Sequence, residues 1–188
     1  MHRKIVVAIT GASGSLYAKR LLEKLEKIPQ LNLGVVLSKN APDVWKQELD
    51  EPFQTRHQVY DRNDFRAPFA SGSANYDSMV IVPCSMGTLG RIAHGISDDL
   101  ITRAADVILK ERRKLICVVR DTPYSLIHLE NMLQLTQAGA IIMPASPSFY
   151  SRPTDLNSLI DTVVCRIIDQ LGLEQDTFRW NETHTTFY

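Results

Sequence analysis

Three short stretches carry residues suited to holding an anionic ligand: Gly11-Ala12-Ser13-Gly14, Cys84-Ser85-Met86-Gly87-Thr88 and Arg120-Asp121. Glycines let the backbone approach a ligand closely, and the free N–H groups at a helix start, helped by the helix dipole, favour a phosphate. The type of phosphate compound is narrowed by what is missing. A dinucleotide fingerprint needs G-x-G-x-x-G and an acid about 20 residues later for the ribose. Here Gly11 and Gly14 stand alone, and the second apolar run ends in Ser38-Lys39. A Walker loop would end in Gly-Lys-Ser/Thr, and a nucleophile elbow would place Gly two residues after its Ser, where Ser13 is followed by Ser15. Neither fits. Taken alone, the first stretch also suits a plain α/β turn with no ligand.

The elements around these stretches explain why they would meet. Lys4 to Thr10 is a β-branched run that reads as a buried parallel strand, and Ser15 onward is an amphipathic helix with Leu21, Leu22, Leu25 and Ile28 on one face. Asn32–Leu37 reads as a second strand, followed by Ser38-Lys39-Asn40 and a short helix through Trp45 and Glu48, with Pro42 in its first turn. Ser78–Pro83 and Leu115–Val119 are further buried strands, and Ala140–Met143 is a short one. Helices are expected over Leu100–Arg112, Ser125–Ala138 and the stripe Leu156, Leu159, Ile160, Val163, Val164, Ile167, Ile168, Leu171, which reads as core. Strands alternating with helices predict an α/β fold with a doubly wound parallel sheet. Successive strand ends then deliver polar groups to one carboxyl edge, where open α/β sheets bind ligands.

Composition limits the remaining choices. The 188 residues suit one domain with a sizeable core, expected over 1–174, with 175–188 as a tail packing over the site or a neighbour. Twenty-one basic and 21 acidic residues balance, so no global field points to nucleic acid or an anionic membrane. No apolar stretch approaches the roughly 20 residues of a membrane span, and Met1-His-Arg-Lys runs straight into a strand, so a cytoplasmic protein is expected. Cys84, Cys117 and Cys165 are widely spaced in apolar surroundings and read as reduced thiols.

Other features have ordinary explanations. From Asp50 to Asn75 the pattern degrades into a polar excursion with one short strand near His57–Tyr60; loops of this length are usually functional or covered by a partner. The run Lys110-Glu-Arg-Arg-Lys114 suits cations at a helix C-terminus. His128 reads as structural, Arg166 lies off the apolar stripe, and Trp180 in the tail must pack on the body, a neighbour or a ligand.

Together these residues resemble the flavin prenyltransferase family, a UbiX-like branch of Rossmann-like, three-layer flavoproteins. The resemblance spans Thr10–Gly14, Ser38-Lys39, Ser71-Gly-Ser73, Pro83–Thr88, Thr102–Val107 with Leu109–Arg112, His128–Met132, Phe149-Tyr150 with Pro153, and Arg179-Trp180. It implies transfer of a dimethylallyl group from dimethylallyl phosphate to N5 and C6 of reduced FMN. The prenylated flavin would serve a partner UbiD-type decarboxylase, without metal. By position, Gly11, Ala12, Ser13, Ser38, Ser85, Met86, Gly87, Thr88 and Arg120 match the family's FMN-binding residues. Arg103, Lys110, Tyr150 and Arg166 match the residues that grip the prenyl phosphate, and Ser13, Lys110, Asp121 and Trp180 are the catalytic candidates. Closed aromatic surroundings would exclude water and attract an allylic cation by roughly 1–2 kcal/mol per ring. The family usually places Glu where Asp121 stands, a carboxylate about 1.5 Å shorter in reach. It assembles as trimers stacked into dodecamers. Two alternatives are a flavin-dependent cysteine decarboxylase, which uses a His that the first helix here lacks, and a non-catalytic FMN-binding subunit.

Overall fold

A computed structural model of the chain describes residues 3–179. In chain order the elements are β1 (Arg3–Ile9), α1 (Ser15–Leu25), β2 (Leu31–Leu37), α2 (Ala41–Leu49), β3 (Gln58–Tyr60), β4 (Ser78–Cys84), α3 (Met86–Ala93), α4 (Leu100–Lys110), β5 (Lys114–Val119), α5 (Leu126–Gln137), β6 (Ile141–Pro144) and α6 (Leu156–Gln170). The six strands form one all-parallel sheet in the order β3-β2-β1-β4-β5-β6. Val7 sits between Val35 of β2 and Val80 of β4, at the line where the strand order reverses. Right-handed crossovers account for the layers: winding outward from β1 and from β4 in opposite directions puts the connecting helices on opposite faces.

Side-chain alternation along each strand keeps those layers distinct. Ile5, Val7, Ile9, Val80, Val82, Ile116 and Val118 face α1, α2 and α6. Val6, Ala8, Met79, Ile81, Leu115 and Cys117 face α3, α4 and α5. Each fully buried aliphatic side chain contributes about 1.5–3 kcal/mol, so the near-continuous apolar strands secure both interfaces at once. Periodicity and structure part at the start of α6. Leu156 is 62% exposed, and burial begins at Ile160, where α6 meets α1 and Asp161 pairs with Arg20 and Lys24.

The polar excursion after α2 is anchored by an aromatic cluster. The Phe69 ring meets Tyr60 at 4.9 Å and Tyr76 at 5.4 Å, both edge to face. Three helices start with reciprocal caps: Asp99 with Thr102 for α4, Ser125 with His128 for α5, and Asp155 with Ser158 for α6. His128 thus has the structural role expected of it. Cys84, Cys117 and Cys165 are free and buried.

Candidate active site

The carboxyl ends of β1 and β4 form a cleft at the reversal point, joined by Thr10. Its hydroxyl donates to the Pro83 carbonyl at 2.7 Å and accepts from the Ser85 amide at 2.9 Å. Gly14 caps α1 at φ +117°, a conformation that L side chains rarely adopt. Gly11 is needed for close approach, since a Cβ there would lie 2.8 Å from Asn40 Cβ. Ser38 joins the same edge through its amide, which donates to the Ile9 carbonyl at 2.9 Å.

The second turn opens α3. Ser85 caps it, accepting from the Thr88 amide, and its hydroxyl lies 3.1 Å from that of Thr88. Thr88 is buried, so its hydroxyl shapes the turn from within. Met86 is also largely buried, whereas a Cβ on Gly87 would meet no atom within 4 Å. That open space lies at the α3 N-terminus, where the first amides of a helix have no intrahelical acceptor. Arg120 arrives from β5: its amide donates to the Cys84 carbonyl at 3.3 Å, and its Nε donates to the Ser13 carbonyl at 3.1 Å. Among the described residues its terminal amino groups take no partner. Asp121 is half-buried, and its carboxylate accepts from the Thr122 amide at 2.8 Å. The strand-end residues expected to hold a flavin therefore share one edge. Small turns, an open helix start and a guanidinium aimed across the cleft suit a phosphorylated, electron-rich ring such as FMN.

One expectation about this edge changes. The amides at the start of α1 already hold an anion, the Glu48 carboxylate, which accepts from Gly14 at 3.0 Å and from Ser15 at 2.7 Å. Burial tends to raise the Glu48 pKa, but hydrogen bonds from the Ser13 hydroxyl, the Ser15 and Gly14 amides and the Ser15 hydroxyl outweigh it and hold the group below its ordinary value. An incoming phosphate must therefore use other donors of the cleft, or displace Glu48. Sequence reading places Glu48 in the short helix with Trp45 and gives it no part in the site. The available signal was its place three positions after Trp45, which puts it on the face of α2 that turns toward α1.

The four expected prenyl-phosphate residues fall into two groups. Arg103 and Lys110 lie on α4: Arg103 Nε donates to the Ala70 carbonyl at 3.1 Å, and its Nη1 pairs with Asp106 at 3.1 Å. Lys110 Nζ pairs with Glu111 at 2.7 Å. Tyr150 and Arg166 lie across the sheet and line a groove of about 750 Å³ along α6 with Arg152, Asp169, Phe178 and Arg179. Arg166 is exposed and pairs with Asp169 at 2.9 Å. One chain thus holds the two pairs on opposite faces. Trp180, the remaining catalytic candidate, lies outside the described residues. No group of three or more His, Cys, Asp or Glu that could hold a metal occurs among the described residues.

Comparison with known proteins agrees with this geometry. The flavoprotein family model matches residues 1–168. The flavin prenyltransferase UbiX of Methanocaldococcus jannaschii is 48% identical over 182 residues, covering 94% of this chain and 98% of its own. A crystal structure of AnUbiX (PadA1) in complex with FMN and dimethylallyl pyrophosphate superposes with a TM-score of 0.90 at 43% identity, covering 98% of this chain and 100% of that one. The dodecameric FMN-dependent UbiX-like decarboxylase of Escherichia coli O157:H7 gives a TM-score of 0.89 at 39% identity, covering 95% and 99%. With matches of this length and a cleft of this construction, the chain belongs to the flavoprotein family, in its flavin prenyltransferase branch.

Proposed function

We propose that this chain is a flavin prenyltransferase that joins a dimethylallyl group from dimethylallyl phosphate to N5 and C6 of reduced FMN. What supports this reading is that Tyr150 and Arg166 along α6, and Arg103 and Lys110 on α4, stand apart from the reversal-point cleft. A pure FMN carrier needs only the reversal-point cleft, whereas Tyr150 and Arg166 in the α6 groove, with Arg103 and Lys110 on the other face, suit a second, phosphorylated substrate.

Reduced FMN, when bound, supplies the nucleophilic N5 and C6. The turn from Gly11 to Ser13, Ser38, the Ser85–Thr88 turn and Arg120 hold and orient it, with Arg120 placed to offset negative charge on the reduced ring. Cleaving an allylic phosphate puts charge on the departing group, and Arg103, Lys110, Tyr150 and Arg166 stabilise it there. Ser13 and Glu48 form a hydroxyl–carboxylate pair at the cleft, with the carboxylate held in its charged form, and Asp121 is a second acid at the same edge. Trp180, outside the described residues, is the aromatic candidate for shielding an allylic cation from water.

Because α4 and α6 lie on opposite faces, the phosphate site is completed between copies of the chain, in a homo-oligomer that we take to be trimer-based and dodecameric. Exposed Leu126, Ile127, Leu129 and Leu133 on α5 suit such burial. The product would pass to a UbiD-type decarboxylase. No helix among the described residues is long and apolar enough to cross a membrane, and we place the enzyme in the cytoplasm. The test is anaerobic incubation with reduced FMN and dimethylallyl monophosphate or diphosphate, followed by mass analysis of the released flavin. Gain of one C5 unit is expected; bound but unmodified FMN with both donors would refute the transferase and leave a carrier.

A further inference from the structure

The last turn of α6 carries an acid where helix electrostatics favour a cation. Asp169 is only 13% exposed, and it gathers four donors: Arg179 through Nη1 at 2.7 Å and Nη2 at 2.9 Å, Arg166 Nη1 at 2.9 Å and Gln175 Nε2 at 3.0 Å. Gln175 Nε2 also donates to the Cys165 carbonyl at 2.6 Å, closing a ring of contacts between α6 and the segment that follows it. Burial pushes the Asp169 pKa up, yet the hydrogen bonds from Arg179 and Gln175 and the charges of Arg179 and Arg166 pull it below the ordinary carboxylate value. It is thus a charged clamp. Cys165, Arg166 and Asp169 form one side of the 750 Å³ groove, and Asp176–Arg179 forms another.

We propose that Asp169 is a positioning residue for the prenyl donor: it fixes the 175–179 segment as a wall of the groove and aims Arg166 into the space shared with Tyr150. This role rests on the reading of the groove as part of the donor site. Its two functions are joined in one carboxylate. The bidentate pair with Arg179 and the contact from Gln175 set the wall, and the contact from Arg166 holds that side chain, which is otherwise exposed.

Charge and position make opposite predictions, which renders the proposal testable. Removing Asp169 makes the groove more positive, so charge alone would tighten binding of a phosphate and lower KM. Loss of position would raise it. For Asp169→Asn in the full chain, KM for dimethylallyl phosphate at saturating reduced FMN is expected to rise roughly tenfold, the scale of one lost charge-assisted hydrogen bond. The effect on kcat should be smaller, and FMN affinity should be unchanged. Asp169→Glu should recover much of the loss. Arg179→Gln should raise KM similarly, and the double variant should be little worse than either single one. Amide exchange over 173–179 should quicken in Asp169→Asn.

An unchanged or lowered KM, additive single variants or unaltered exchange would overturn the proposal. So would a parallel fall in FMN affinity and thermal stability, which would mark a general structural role. If the wild-type chain transfers no prenyl group, the donor-site reading fails and the positioning role with it, while the exchange result still reports whether the clamp exists.

Discussion

Two impaired variants of this protein should rescue one another. The residues are Lys110 on α4 and Arg166 on α6. Ile108 of α4 packs in the layer with Val6 and Met79, while Ile167 of α6 packs in the layer with Val7 and Val80. A full sheet lies between the helices, so their axes are roughly 20 Å apart, twice the ~10 Å spacing of packed layers. One phosphate cannot touch both cations of the same chain. Loss of either should cost about 1.5–3 kcal/mol of phosphate binding, or roughly 10- to 100-fold in rate at limiting donor. In the shared donor site proposed above, a ring with head-to-tail interfaces would take Lys110 from one copy and Arg166 from the next. Random 1:1 co-assembly of Lys110→Ala with Arg166→Ala restores both cations at about one site in four, so activity should return to about a quarter of wild type. The assay is co-expression with two affinity tags, sequential purification of mixed oligomers, and the rate of prenylated-flavin formation. Mixed oligomers no more active than the mean of their parents would refute the shared site.

Three further outcomes follow from the cleft. Gly11→Ala should lose about 1–3 kcal/mol by overpacking against Asn40, seen as a lower Tm together with weaker FMN binding. Gly87→Ala meets no atom, so Tm should hold while FMN affinity falls; an unchanged affinity would remove α3 from the flavin site. Glu48 and Asp169 have depressed pKa values, so their stabilising effect is full above the unfolded carboxylate pKa, near 4, and is lost as pH falls through their folded values. Unfolding by acid should accordingly steepen below about pH 4, and Glu48→Gln should lower stability at pH 7 by about 0.3–1 kcal/mol while flattening that acid limb.

Local chemistry was legible in the sequence, and assembly across distance was not. The β-branched runs, the Gly14 turn and the polar strand ends at Ser38, Ser85 and Arg120 follow from periodicity and residue type, and the structure places all of them as expected. Glu48 escaped because its contact spans 34 residues, from α2 to the start of α1, and depends on the angle between two helices. The separation of Lys110 from Arg166 escaped because a helical pattern shows which side of a helix is apolar, not which face of the sheet it meets. Leu156 followed the stripe yet remained exposed, since periodicity marks a direction and not where the neighbouring helix ends.

The two hydrogen bonds of the Thr10 hydroxyl give the cleft a mechanical character. With β1 riveted to β4 at the point of strand reversal, the two halves of the sheet cannot spread apart to admit a ligand. Entry and release would then leave this floor in place. A seat of this kind contributes little reorganisation to the barrier, and successive flavins meet the same arrangement of donors.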